Sequence, residues 1–227
     1  MAGKKISRRE IGTVIRKISK EIEKYVEPSV TQIGKKKNPY HALISCVLSL
    51  RTKDEVTLAA SARLFKKADT PQKMVKLTWL QIGNLIKPVN YWKTKAKNIR
   101  KISRILLDKY KGEVPKDFDK LLELPNVGRK TANIVMTYGF FEKDYLAIDT
   151  HCHRIPNRLG WIDTKTPEET EFALRELIPK KYWWEFNNSF VAFGQNICKP
   201  VKPLCWKCPV VKYCRYRDKN LELPRKE

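Results

Sequence analysis

Leu121-Leu122-Glu123-Leu124-Pro125-Asn126-Val127-Gly128-Arg129-Lys130-Thr131-Ala132 is the stretch that organises the chain. On its upstream side, Asp117 to Glu123 carries apolar residues at Phe118, Leu121 and Leu122. Downstream, Arg129 to Tyr138 carries them at Ala132, Ile134 and Val135. Both spacings suit short amphipathic helices, so the segment from about 117 to 138 reads as a helix-hairpin-helix. Pro125 cannot continue the first helix, Asn126 tolerates a left-handed backbone, and Gly128 permits close approach by another chain. Such a turn leaves backbone N–H groups at the start of the second helix, where a phosphate fits. An ordinary helical hairpin inside a core would use the same proline and glycine.

Outward from the hairpin the apolar periodicity remains helical. Glu10 to Val26 places Ile11, Val14, Ile15, Ile18, Ile22 and Tyr25 on one face. Val30 to Asn38 ends in Lys35, Lys36 and Lys37. Pro39 then starts a strongly apolar helix, Tyr40 to Leu50, with Cys46 buried. Arg51-Thr52-Lys53-Asp54 interrupts it, and Glu55 to Lys67 resumes with Val56, Ala59, Ala60, Leu64 and Phe65 inward. Thr70-Pro71 opens a short helix and Thr78 to Leu85 supplies another. Pro88 to Trp92 is a turn, after which Lys93 to Tyr110 turns Ala96, Ile99, Ile102, Ile105 and Leu106 inward. Gly139 to Tyr145 is a loop, and His151 to Leu159, Pro167 to Leu177 and Tyr182 to Cys198 are further helices. No segment alternates with period two between turn signals, so the fold class is all-α.

The 227 residues hold 47 Lys plus Arg against 24 Asp plus Glu, a formal net charge of +23, and the basic residues run the full length. That balance points to a polyanionic partner, nucleic acid foremost, the alternative being a basic protein that is merely soluble. The longest nearly apolar run, Ala42 to Leu50, is less than half of the roughly 20 residues that a bilayer requires. The basic N-terminus is not followed by an apolar signal segment, so a reducing compartment is expected. Six cysteines there suit metal ligation and packing rather than disulfides.

Three constellations carry chemistry. Cys198, Cys205, Cys208 and Cys214 form C-x6-C-x2-C-x5-C, four thiolates in a polar segment too short for its own core. One close pair with two outlying cysteines leaves structural zinc and a cubane iron–sulfur cluster both open. Lys130 is set at the first turn of the hairpin's second helix. The positive end of the helix dipole, with Arg129, disfavours an ammonium there and makes a lysine a usable amine nucleophile; the plain alternative is one more solvated lysine. Asp149, in Ile148-Asp149-Thr150-His151-Cys152-His153-Arg154, is placed as a helix N-cap, a role compatible with stabilising a cationic transition state. His151 and His153 are two apart, cannot share a helical face as a metal pair, and read as hydrogen-bonding or packing residues.

In this order and spacing, the hairpin Leu124 to Ala132, the aspartate of Ile148 to His151 and the four-cysteine loop resemble the endonuclease III family of DNA glycosylases, from about residue 20 to residue 217. The resemblance implies two helical lobes flanking a DNA groove, one over about 31–142 and the other joining 1–30 to 143–227. It places the hairpin at the mouth of the groove and a [4Fe–4S] cluster in the 198–214 loop. It implies a bifunctional glycosylase and abasic-site lyase of base excision repair, acting on oxidised pyrimidines in double-stranded DNA after flipping the nucleotide. Lys130 would attack the sugar C1′, a Schiff base would follow, and the 3′ phosphate would leave by β-elimination. Asp149 would stabilise the cationic sugar and help deprotonate the lysine. Monofunctional relatives lack a lysine at this position, so Lys130 implies lyase activity.

The candidate DNA contacts are Arg51, Tyr91, Asn126, Gly128, Arg129 and Thr131. Asn126 replaces a glycine often found first in the hairpin. Arg51 stands where family members often carry a glutamine that enters the gap opposite the flipped base. Tyr91 matches a wedge position on the other lobe. A monomer in the cytoplasm with the nucleoid, or in the nucleus of a eukaryote, is expected, without membrane association. Two alternatives remain: a glycosylase for thymine or uracil mispaired with guanine, and a non-catalytic DNA-binding iron–sulfur module.

Overall fold

A computed structural model describes residues 6–34 and 37–223. Lys35 and Lys36 of the predicted basic run lie outside the described residues. Among the described residues every regular element is helical and no strand occurs.

Caps written into the sequence set most of the boundaries. Helix α1 (Arg8–Ile22) starts behind Ser7, whose hydroxyl accepts the Glu10 N–H at 3.2 Å. Helix α2 covers Ser29–Gly34. Helix α3 (Pro39–Ser49) has Asn38 as cap and a proline at its first position. Helix α4 (Asp54–Lys67) has acidic residues in its first turn and lysines in its last, complementing its dipole. Thr70 caps α5 (Pro71–Val75), and a reciprocal Thr78–Gln81 capping box starts α6 (Trp79–Ile86). Helix α7 (Trp92–Tyr110) stops at Lys111 and Gly112, both left-handed. Asp117 caps α8 (Phe118–Leu122), and α9 (Arg129–Ile134) follows the hairpin. Helix α10 (Thr150–Leu159) ends at left-handed Gly160, α11 (Pro167–Leu177) starts behind Thr166, and α12 spans Trp183–Asn196.

Several boundaries and faces differ from the sequence reading. Helix α1 ends at Ile22, four residues short of Val26, with Ile22 and Tyr25 only partly buried. Ala59 is exposed, because the inner face of α4 runs through Thr57, Ala60, Ser61 and Leu64. The helix read as Tyr182 to Cys198 lacks its last two residues: Ile197 leaves helical backbone, releasing the chain into the cysteine loop. The second hairpin helix does not stay α to Tyr138. It widens into a π turn over Val135–Gly139, which lays Gly139 against α3, where a Cβ would fall 2.9 Å from Pro39 Cα.

Contacts divide the chain into two units: Pro28–Tyr145, and the flanking segments up to Glu27 and from Leu146 onward. Ser29 joins the central unit through its N–H to Asp54 Oδ2 (3.0 Å), and Tyr145 joins it by stacking on Phe118. That unit buries Leu43, Leu48, Leu64, Met74, Ile82 and Leu106, and Leu121 and Ala132 fix the hairpin to the same core. The flanking segments form a separate core around α12, in which Phe186, Phe190 and Phe193 meet Ile11, Ile15 and Ile18 of α1. Phe186 and Phe190 stack with centroids 4.0 Å apart.

Candidate active site

The hairpin is a tight turn in which the Leu124 N–H bonds Leu121 O and the Val127 N–H bonds Leu124 O. Asn126 takes φ 64°, the left-handed conformation its side chain tolerates better than most. Gly128 is the N-cap of α9 and offers no side chain to cap it; the bond from the Ala132 N–H to Gly128 O (3.0 Å) opens the helical ladder. The glycine itself is not demanded by the fold. Its φ of −103° suits any residue, and a Cβ there would meet no atom within 4 Å.

Arg129 extends over the Phe118 ring, 5.1 Å from its centroid, so it is anchored across the hairpin to α8. Lys130 is half-buried, and its charge acts on Cys46 of α3. Burial pushes that Cys46 thiol up to about 12, with Lys130 working in the opposite direction. Thr131 is only 3% exposed, which corrects its reading as a DNA contact: its side chain belongs to the core.

Three of the predicted contact residues come together. Arg51, Tyr91 and Asn126 line one open depression of the central unit with Leu50, Thr94 and Lys95, which corrects the reading of Tyr91 as a wedge on the other lobe: it lies in the same unit as Arg51 and the hairpin. All three have left-handed backbones, at φ 53°, 57° and 64°. Non-glycine residues in that region carry a conformational cost, and three of them meet at this one depression. Arg51 and Tyr91 are exposed, Tyr91 at 63%.

Two residues that sequence reasoning missed hold this surface. Lys95 is 3% exposed, and its Nζ donates to Leu48 O (2.8 Å), Leu50 O (2.6 Å) and Thr52 Oγ1 (3.1 Å). Asn90 Nδ2 donates to Arg51 O. A signal for Lys95 existed, because it lies in register with Ile99, Ile102 and Leu106 on the inner stripe of α7.

Asp149 belongs to the other unit. Its Oδ1 accepts the His151 N–H (2.9 Å) and the Cys152 N–H (2.8 Å), capping α10 and leaving Oδ2 uncommitted by the cap. The approach to it is fixed from α12 by Asn187, a third missed residue. Its Nδ2 donates to Ala147 O (3.1 Å) and to Cys152 Sγ (3.6 Å). His151 Nδ1 lies 3.0 Å from Arg154 Nη2, and His153 Nδ1 lies 2.7 Å from Thr170 Oγ1, so both imidazoles are engaged within this unit.

All four loop cysteines, Cys198, Cys205, Cys208 and Cys214, line one cavity backed by Ile155, Leu159, Phe193 and Val210. Helix α10 clasps the loop from its C-terminal half. Arg154 Nη2 donates to Cys198 O (2.7 Å), and Arg158 donates to Lys199 O and Pro200 O (both 2.7 Å) and to Cys198 Sγ (3.6 Å).

Residues 44–180 match the family model of the HhH-GPD superfamily base excision DNA repair protein, which is the class that the hairpin and its helical setting define. The chain is also 50% identical over 182 residues to Endonuclease III of Thermotoga maritima, covering 80% of this chain and 85% of that one. Within the superfamily it belongs to the endonuclease III family. A solved structure of a trapped endonuclease III–DNA covalent intermediate, an estranged-adenine complex, matches with a TM-score of 0.80 at 32% identity, covering 92% of this chain and 96% of that one. A thermostable thymine-DNA glycosylase matches with a TM-score of 0.79 at 25% identity and the same coverage. The chain spans 48–61% of the length of the vertebrate and plant relatives that it also matches.

Proposed function

We propose that this chain is a bifunctional DNA glycosylase and abasic-site lyase that removes oxidised pyrimidines from double-stranded DNA. The observation that carries the reading is Lys130, half-buried at the start of the hairpin's second helix, in a chain 50% identical to an Endonuclease III. The Lys130 amine attacks the sugar C1′ of the flipped nucleotide, and the bond from C1′ to the base breaks with its electron pair going to the base. The carboxylate of Asp149 offsets the positive charge on the opening sugar and takes the proton that Lys130 releases. The nitrogen lone pair then expels O4′, which takes the C1′–O4′ electron pair and a proton as the ring opens, and the resulting iminium acidifies the C2′ proton. Its loss drives cleavage of the C3′–O bond, so the 3′ phosphate departs and water later frees the lysine.

Around this chemistry, the hairpin N–H groups at the start of α9 hold a backbone phosphate, while Arg51, Tyr91 and Asn126 meet the duplex where the nucleotide has left the stack. The four cysteines hold a [4Fe–4S] cluster. The site fits that group, with four thiols lining one cavity and an apolar wall behind them. Burial pushes the Cys208 thiol up to about 12 against a backbone hydrogen bond at Val210, with the neighbouring thiols adding to the rise, so a cationic metal centre is what would hold a thiolate there at neutral pH. When bound, the cluster supplies ligation that ties the loop to itself. The protein acts as a monomer on chromosomal DNA, in the cytoplasm or, in a eukaryote, the nucleus; no described helix is long and apolar enough to cross a membrane.

Borohydride trapping on a thymine-glycol duplex tests the reading. The wild type should form a covalent complex, while Lys130→Ala should bind the duplex without being trapped or cutting it. A wild type that is never trapped would sink the lyase claim. A second reading, removal of thymine mispaired with guanine, is favoured by the likeness to the thymine-DNA glycosylase and by Arg51 in place of the usual glutamine. Comparing lesion and mismatch duplexes separates the two.

A further inference from the structure

Helix α3 ends with no basic residue in its last turn, yet its terminal carbonyls are not left to solvent. Lys95 reaches them from α7, placing three N–H bonds on Leu48 O, Leu50 O and Thr52 Oγ1. Two of those acceptors, on Leu50 and Thr52, flank Arg51 directly. Asn90, the residue before Tyr91, donates to the carbonyl of Arg51 itself. Arg51 is therefore gripped on both sides and at its own peptide, while its side chain remains exposed.

A lysine buried at 3% is costly unless it is fully hydrogen-bonded, and Lys95 directs two of its three bonds to the turn that presents Arg51. A lysine needed only to cap α3 would have no cause to bond beyond the helix, at Thr52. The same pair of bracing residues links the Arg51 turn to the Tyr91 turn, because Asn90 and Lys95 lie on either side of Tyr91 in sequence.

We propose that Lys95 is a positioning residue: with Asn90 it locks the left-handed Arg51 turn so that the Arg51 guanidinium enters the DNA gap in one pose, and it thereby sets the preference for the base opposite the lesion. The inference rests on the glycosylase reading above. It predicts that Lys95 acts through Arg51 and not through Lys130 chemistry or general stability.

The test is a double-mutant cycle. Lys95→Met, Arg51→Ala and the double variant are compared with wild type on thymine-glycol duplexes carrying each of the four opposite bases, under single-turnover conditions. Lys95→Met should slow base removal by roughly 10- to 100-fold, the scale of a misplaced contact group. It should also flatten the opposite-base preference to that of Arg51→Ala. The double variant should be no slower than Arg51→Ala alone, and Lys95→Arg should recover part of the preference. Effects that multiply in the double variant would overturn the proposal.

If Lys95→Met does not fold, Asn90→Ala carries the same cycle, since it removes only the bond to Arg51 O. Hydrogen exchange gives a readout that needs no activity. The Thr52 N–H bonds Ser49 O at 3.1 Å and should exchange faster in Lys95→Met, or in Asn90→Ala, while α7 stays protected. Unchanged Thr52 exchange defeats the brace. A wild type inactive on every duplex, with Thr52 exchange responding as expected, defeats the glycosylase reading and not the brace.

Discussion

Gly128 has no internal reason to be glycine, which makes it informative. Neither its backbone conformation nor its packing excludes a methyl group, so any requirement for glycine here would have to be set by a partner. Gly128→Ala should hold stability to urea within about 1 kcal/mol of wild type, the Ala entropy gain being set against a weaker N-cap. Its affinity for a duplex, measured by anisotropy at fixed salt, should fall, because the new Cβ occupies the space a phosphate needs. Unaltered affinity would mean that the hairpin does not approach DNA at this point. Asp149 permits a similar separation. Asn caps a helix as well as Asp does, so Asp149→Asn should preserve stability while turnover falls. Asp149→Ala should lose turnover and about 1 kcal/mol of stability as well. If Asp149→Asn turns over at the wild-type rate, the residue is a cap and nothing more.

At the scale of elements, residues that act on their own neighbours were readable. Asn38, Thr70, Thr78, Asp117, Asp149 and Thr166 each cap the helix beginning at the next residue, and left-handed Asn126 marks the hairpin turn. What was not readable depends on a second element. The π turn after α9 reflects the closeness of Gly139 to α3, the exposure of Ala59 reflects which face of α4 its neighbours cover, and Asn187 acts 40 residues away on Ala147. Lys95 is the sharpest case, since its charge hides a core position. Burial pushes its ammonium down to about 8 from an ordinary 10.5, so between those values the unfolded chain binds more protons and stability rises with pH. Buried Tyr40 and Cys46 are shifted upward and act in the opposite sense, but they are common to wild type and variant. Urea unfolding at several pH values should therefore show wild type gaining stability relative to Lys95→Met as pH rises from 8 towards 10. Parallel profiles would place Lys95 in contact with water.

For the whole molecule, the division into two cores has a thermodynamic consequence. The cysteine loop, α10 and α12 belong to one core, and the hairpin with Lys130 belongs to the other. Helix α10 links Asp149 to the cysteine loop within its own unit, because Asp149 caps its first turn while Arg154 and Arg158 bind the cysteine loop. Loss of the cluster should therefore loosen α10 and be felt at Asp149 before it is felt at the hairpin. Replacing Cys208 by Ser removes one of the four proposed cluster ligands from the apolar cavity. The purified variant should lose visible absorption, and amide protection should fall in α10 and α12 while α3, α7 and the hairpin helices keep theirs. Its heat unfolding should split into two transitions, the earlier belonging to the cysteine-bearing unit. A single transition, with protection lost equally in both cores, would show that the units fold as one and that the cluster supports Lys130 as directly as it supports Asp149.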